Sequence, residues 1–349
     1  MKRKHSITII AVMLAAMAGI MAPSAMSAGA AVRFPAGSRS AQGVGTKAPG
    51  ATSGKPRIVY DPAAYRQAVK SRDWVHTPEG LAYKTCVYYA PNHSVVTKDE
   101  IILPSGARRQ IKPCAHPTLA YPRAKLARNN KALVSANACS PTNQAWWADS
   151  CWLAPAPLVH FSEEYAVPSN PAQSGALLFL WGGLEDANGG DVLQDVLTWG
   201  ANPGVVSNPN IWYVTPWYVF NGNNYVHGSS IHVAVNDTIV NSLAASKCGS
   251  GGACSWLLTT TDVNNGRQSQ YPITSGVAFP ALFGGVMEVP SAHGCVETPA
   301  SGHAAFRDLR VTEINSTIPT PNFNTSYVNP QCSITERVAT NGADIFWKP

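Results

Sequence analysis

From Ser174 onward, apolar residues fall in short runs separated by Gly, Pro, Asn and Asp. Several of these runs carry the period of two that a half-buried strand needs. Residues 177–181 (LLFLW) and 192–199 (VLQDVLTW) read as two strands, and the Asp/Asn/Gly-rich 185–191 joins them as a turn. On the second strand Gln194 points with Val192, Val196 and Thr198. An amide on that apolar face must find hydrogen-bond partners or cost about 1–3 kcal/mol. Residues 211–220 form an aromatic strand whose Pro216 belongs at an edge or a bulge. Residues 230–235 alternate and turn at Asn236-Asp237. Residues 255–262 and 267–273 flank Val263-Asn264-Asn265-Gly266, a strong hairpin signal. An apolar run with Gly284-Gly285 inside covers 277–289, and 304–314 reads as the closing strand.

The front of the chain is less regular. Residues 62–70 have a short helical look, 81–90 alternate as a strand, and 95–111 read as two strands around Pro104-Ser105-Gly106. Residues 120–132 suggest a basic helix. Trp146, Trp147 and Trp152 make 143–153 an aromatic patch, expected as the core of a small front module. The fold expected is all-β: an antiparallel β-sandwich, concanavalin- or jelly-roll-like, preceded by a small disulfide-stapled N-terminal region. The expected divisions are a signal peptide at 1–30, a flexible Gly/Ala/Ser-rich linker at 31–56, and a basic N-terminal region or propeptide at 57–170. The sandwich follows at 171–315 and a tail at 316–349.

Lys2, Arg3 and Lys4 precede the apolar stretch 7–21 and a run of small residues, the pattern of a secretory leader. No later apolar run is long enough to span a bilayer. Eight cysteines accompany that leader and argue for disulfides. Their connectivity is open, but sequential pairing closes modest loops: Cys86 with Cys114, Cys139 with Cys151, Cys248 with Cys254, and Cys295 with Cys332. Charge changes the picture once more. Residues 31–170 hold 17 Lys/Arg against 8 Asp/Glu, and residues 171–349 hold 6 against 12. A basic front can therefore cover an acidic back, and acid or salt should weaken that attraction. The basic residues are scattered without a nucleic-acid-binding motif, so no nucleic-acid partner is expected.

The usual catalytic signatures are missing: there is no Gly-x-Ser-x-Gly elbow, no His-Glu-x-x-His and no phosphate loop. His227, His232, His293 and His303 lack metal-ligand spacing, and no metal or cofactor is expected. Glu288 stands out, because it lies in the apolar run Gly285-Val286-Met287-Glu288-Val289. A carboxyl there is either at an edge or buried with partners, and burial would suit it to acid/base work. Glu185 and Glu297 fall in loops and are weaker candidates.

Residues 174–314, about 40% of the chain, resemble the eqolisin glutamic peptidases, secreted β-sandwich proteases of the scytalidopepsin type. The resemblance lies in the order of pieces. Ser174-Gly175-Ala176 through Trp181-Gly182 resembles the family's opening strand, and Leu193-Gln194 the strand of its catalytic Gln. Trp212-Tyr213 through Trp217-Tyr218 is similar to its substrate strand. Residues 235–239 are similar to its Gly-Asp-Thr-Ile turn, and 259–269 to its Asn-x-Thr-x-Gly hairpin. Met287-Glu288 matches its catalytic Glu, and 306–314 its final strand. Val289 stands where the family usually has a Trp. The resemblance implies a secreted acid endopeptidase acting on polypeptides with a Gln194/Glu288 dyad and an activated water. Trp181, Trp212 and Trp217 are then candidate walls of the substrate groove. The two dyad residues are expected on neighbouring strands of one concave face, sharing one water. The chain is read as a monomer outside the membrane.

Two other classes compete. A non-enzymatic secreted sandwich that binds glycans or cell-surface partners uses aromatic strands equally well. A cell-wall hydrolase needs two carboxyls facing across a groove, and Glu288 has no obvious strand-borne partner.

Overall fold

The structure, a computed structural model, describes residues 58–121, 139, 145–249, 252–292 and 294–349. The leader at 1–30, the linker at 31–56, His293 and most of the expected basic helix lie outside the described residues. All four disulfides pair sequentially, as the loop argument favours.

The fold is all-β and built on two large sheets. The nine-stranded sheet runs Asn324–Val328, Trp146–Leu153, Ala281–Ser291, Leu177–Glu185, Val192–Trp199, Trp212–Phe220, Asn224–His227, Val87–Tyr89, with Ile231–Val233 also pairing on Trp212–Phe220. The ten-stranded sheet runs Thr335–Ala339, Gly342–Phe346, His303–Glu313, Leu158–Ala166, Thr238–Ser246, Ser255–Asp262, Arg267–Thr274, Val95–Val96, Glu100–Ile102, Arg108–Gln110. Pairing is antiparallel except where the front of the chain joins: Val87–Tyr89 lies parallel to Asn224–His227, and Val96 pairs in parallel with Ile273. Side chains of both sheets share two apolar clusters, so the sheets pack face to face.

Burial explains why some strands alternate and others do not. Thr238–Ser246 and Ser255–Asp262 bury every second residue, because one face of their sheet meets water. Leu177–Glu185, Val192–Trp199 and Trp212–Phe220 are buried at every position. One face of these strands meets the other sheet, and the opposite face is covered by the front of the chain.

That cover is a four-stranded sheet, in the order Ile58–Val59, Thr118–Leu119, Gly80–Tyr83, Trp74–Thr77, with the helix Pro62–Ala68. Asp61 caps the helix by accepting from the backbone N–H groups of Ala63 and Ala64. Tyr65, Leu81, Leu119 and Tyr121 form its own small core.

Several expectations are corrected. The expected strand 81–90 is two strands broken by a 3-10 turn at Lys84–Cys86. Trp146–Leu153 is an inner strand of the nine-stranded sheet, not the core of a front module. Leu158–Ala166 is likewise an inner strand of the other sheet. A boundary at residue 170 therefore cuts through both sheets; the front piece ends before Trp146 and is itself joined to both sheets, through Val87–Tyr89 and Val95–Val96. The stretch 316–349 is no tail, because Asn324–Val328, Thr335–Ala339 and Gly342–Phe346 all pair into the sheets. Pro216 is not on an edge strand. It lies where the partner of its strand changes from Asn224–His227 to Ile231–Val233, and its carbonyl accepts from Gly228 N–H. A missing N–H is tolerated at that gap.

Candidate functional site

The covered face of the nine-stranded sheet carries the residues singled out above. Directly opposed residues on adjacent strands share a face, and so do residues two apart on one strand. Phe179 opposes Glu288, and Gly183 opposes Gln194. Phe179, Trp181 and Gly183 therefore put Gln194, Trp181 and Glu288 on one face. The two dyad candidates are not on neighbouring strands, which corrects the expectation. Leu177–Glu185 pairs with both strands and separates them, and their partners on it stand four residues apart.

Trp181 occupies the middle of this arrangement. Its indole Nε1–H donates to Glu288 Oε2 at 3.1 Å, and both side chains are fully buried. Its ring meets Trp146 and Phe283 edge-on, at centroid distances of 5.5 and 5.4 Å. Tyr121 of the cover lies within electrostatic reach of Glu288, and burial first, then Tyr65 and Glu288, push its phenol well above its ordinary range. Its hydroxyl donates to the carbonyl of Thr77 at 2.7 Å.

Gln194 is fully buried, and neither its Oε1 nor its Nε2 has a hydrogen-bond partner among the described residues. Gly183 makes room for it: a Cβ there would lie 2.4 Å from the carbonyl oxygen of Leu193 and 3.0 Å from the Gln194 Cβ. In register, Gln194 opposes Trp217, Trp217 opposes His227, and His227 opposes Tyr89 of the front piece. The His227 ring lies against Trp217 and Tyr89, at 5.1 and 5.4 Å. Burial pulls the His227 imidazole down to about 4, so the ring is neutral except in strong acid.

Of the three expected groove walls, Trp181 and Trp217 share the Gln194 face. Trp212 does not. It opposes Trp199 and packs between the sheets, because 212 and 217 are an odd number of positions apart on an unbulged strand. Glu185 is the buried last residue of its strand and accepts from Cys139 N–H, so it is not a loop residue. Glu297 sits in the 3-10 turn Cys295–Glu297. His232 is exposed, and His303 pairs with Asp344 at 2.8 Å. Sequence reasoning missed Trp146, Tyr121 and His227 as parts of this face. His227 could have been found by extending the Gln194–Trp217 register one strand further.

The cover meets this face through specific contacts. Ala82 joins the apolar cluster of Trp181 and Trp217. Thr118 Oγ1 and Tyr225 OH lie 2.7 Å apart, and Asn202 Nδ2 donates to the His76 carbonyl at 2.8 Å. Among the described residues no group of three or more His, Cys, Asp or Glu is arranged to hold a metal ion.

No protein-family model matches this chain, and no curated protein matches it. Solved structures do. Scytalido-glutamic peptidase with a transition state analog inhibitor is similar over 58% of this chain and 98% of that chain, at 15% identity and TM-score 0.42. The same peptidase with a peptide-based transition state analog has TM-score 0.40 at 15% identity, with the same coverage. SCP-B, a member of the eqolisin family in complex with the tripeptide Ala-Ile-His, has TM-score 0.39 at 15% identity, again over 58% of this chain and 98% of that one. The likeness is one of fold and leaves the chemistry to the residues.

Proposed function

We propose that this chain is a secreted acid endopeptidase of the glutamic-peptidase type in a covered, latent form. One observation supports it above the others: Gln194 and Glu288 share a face on either side of Trp181, which hydrogen-bonds the Glu288 carboxyl. The orphan amide of Gln194 agrees with it, since a buried group left unpaired at a cost of about 1–3 kcal/mol is expected where a ligand supplies the partner.

In the proposed reaction Glu288 takes a proton from a water, whose oxygen bonds to the peptide carbonyl carbon. The carbonyl oxygen becomes an oxyanion, and the Gln194 amide N–H donates to it. Glu288 then passes its proton to the leaving nitrogen as the C–N bond breaks. Trp181 fixes the carboxyl, and Trp217 lines the same face. Substrate must reach residues that the cover now buries, so the front piece has to be displaced or removed first.

The test uses the full chain, incubated in acid and then assayed against an unfolded protein without metal. Hydrolysis is expected in the wild type, with N-terminal sequencing showing loss of the front piece. Glu288→Gln and Gln194→Ala should each abolish most of it. Full activity in Glu288→Gln would falsify the mechanism, and full activity with the front piece still attached and docked would overturn the latency.

A further inference from the structure

The opposite face of the Gln194 strand carries a second set of polar groups, sealed between the two sheets and unused by the proposed chemistry. Asp195 and Glu163 are each 1% exposed. Glu163 Oε1 accepts from Gly182 N–H and Asn241 Nδ2, both at 3.1 Å. Asp195 Oδ1 accepts from Thr260 Oγ1 at 2.6 Å. Gly182 opposes Asp195, and a Cβ on it would lie 2.2 Å from Glu163 Oε2, so the glycine makes the space for this carboxyl. The layer divides the interior. Phe161, Leu193 and Leu258 belong to one apolar cluster, and Leu180, Leu197 and Ile239 to another.

The layer has acceptors in excess. Glu163 Oε2, Asp195 Oδ2 and Asn241 Oδ1 are buried without a donor. Among the described residues no Lys, Arg or His pairs with either carboxyl. The titratable groups facing them are Tyr165, with Asn241 Nδ2 3.3 Å from its hydroxyl, and Tyr271, whose hydroxyl donates to the Val226 carbonyl. Burial lifts both phenols well above their ordinary range, with Glu163 acting on Tyr165 and Asp195 acting on both. Two carboxylates without a cation would cost several kcal/mol each to bury, whereas neutral acids each bring one O–H donor.

We propose that Glu163 and Asp195 are held as neutral acids in the native sandwich, and that their ionisation drives the two sheets apart as pH rises. The chain is then an acid-adapted fold that loses stability toward alkali. Burial lifts Glu163 to about 8 and Asp195 to about 7. Both folded values exceed the unfolded one, about 4 for a carboxyl. The stabilising contribution is therefore fully present below about 4 and is lost as pH rises through about 7 and 8. Between those limits each carboxyl raises the unfolding constant about tenfold per pH unit.

The test is denaturant unfolding of the full chain across this pH range, counting the protons released on unfolding from the slope. Glu163→Gln/Asp195→Asn should release about two fewer protons than wild type between pH about 4 and about 7. An unchanged proton count overturns the proposal. Where that variant does not fold, Thr260→Val decides. It removes the donor that favours ionised Asp195, so proton release on unfolding should persist to higher pH than in wild type and the total alkaline loss should grow; an unchanged upper limit of proton release, or one moved to lower pH, overturns the proposal.

Discussion

Trp181 Nε1 donates to Glu288 Oε2 at 3.1 Å, with both side chains fully buried. Hydrogen bonding to a charged group contributes about 1.5–3 kcal/mol. Trp181→Phe keeps most of the ring packing and deletes the donor. After activation, this variant should lose about 10–100-fold in kcat/KM. A carboxylate deprived of a donor titrates higher, so the acid limb of the pH–rate profile should move to higher pH. The measurement is kcat/KM against pH for both proteins.

Gln194 separates function from stability. Its amide is buried with no partner among the described residues. Gln194→Leu replaces an unsatisfied group by an apolar one of similar length. Hydrolysis should disappear, while the latent chain should be stabilised by about 1–3 kcal/mol in denaturant melts. A destabilised variant would show that the amide is satisfied.

Gly182 and Gly183 serve opposite faces of one strand. The first leaves room for Glu163 and the second for Gln194. Each Gly→Ala substitution should cost about 1–3 kcal/mol by overpacking, since the displaced carboxyl or backbone has nowhere to move. Only Gly183→Ala should also depress kcat in the activated enzyme, because only its new methyl lies on the Gln194 face. Parallel melts and turnover assays check this.

The histidines near the cover carry the opposite pH sign to the inter-sheet acids. His76 stacks on Tyr121, and burial holds its imidazole at about 4, as it does for His227. Both folded values lie below the unfolded one of about 6.5. Their contribution is present above about 6.5 and is lost as pH falls through about 4. Amide hydrogen exchange in Trp74–Tyr89 should therefore accelerate in acid relative to Leu177–Trp199, beyond the intrinsic pH dependence. Uniform behaviour of the two segments would contradict this.

Much of the fold was legible in the sequence, because strand periodicity and turn residues act over a few residues. The hairpins at 185–191 and 263–266 and the helix after Asp61 follow from such local rules. So does the face of Gln194, which Val192 and Val196 share. The cysteine count argued for disulfides and left their connectivity open until the structure paired them sequentially. Which strands become neighbours is decided by long-range pairing. Local pattern could not insert Leu177–Glu185 between the strands of Gln194 and Glu288, or draw Trp146–Leu153 and Asn324–Val328 into the same sheet. It could not show that the front piece covers the Gln194 face, because burial on both sides leaves a strand uniformly apolar whatever covers it. The meeting of Asp195 with Glu163 was equally hidden. They come from strands of different sheets, and only the packing of those sheets brings two carboxyls into one dry layer.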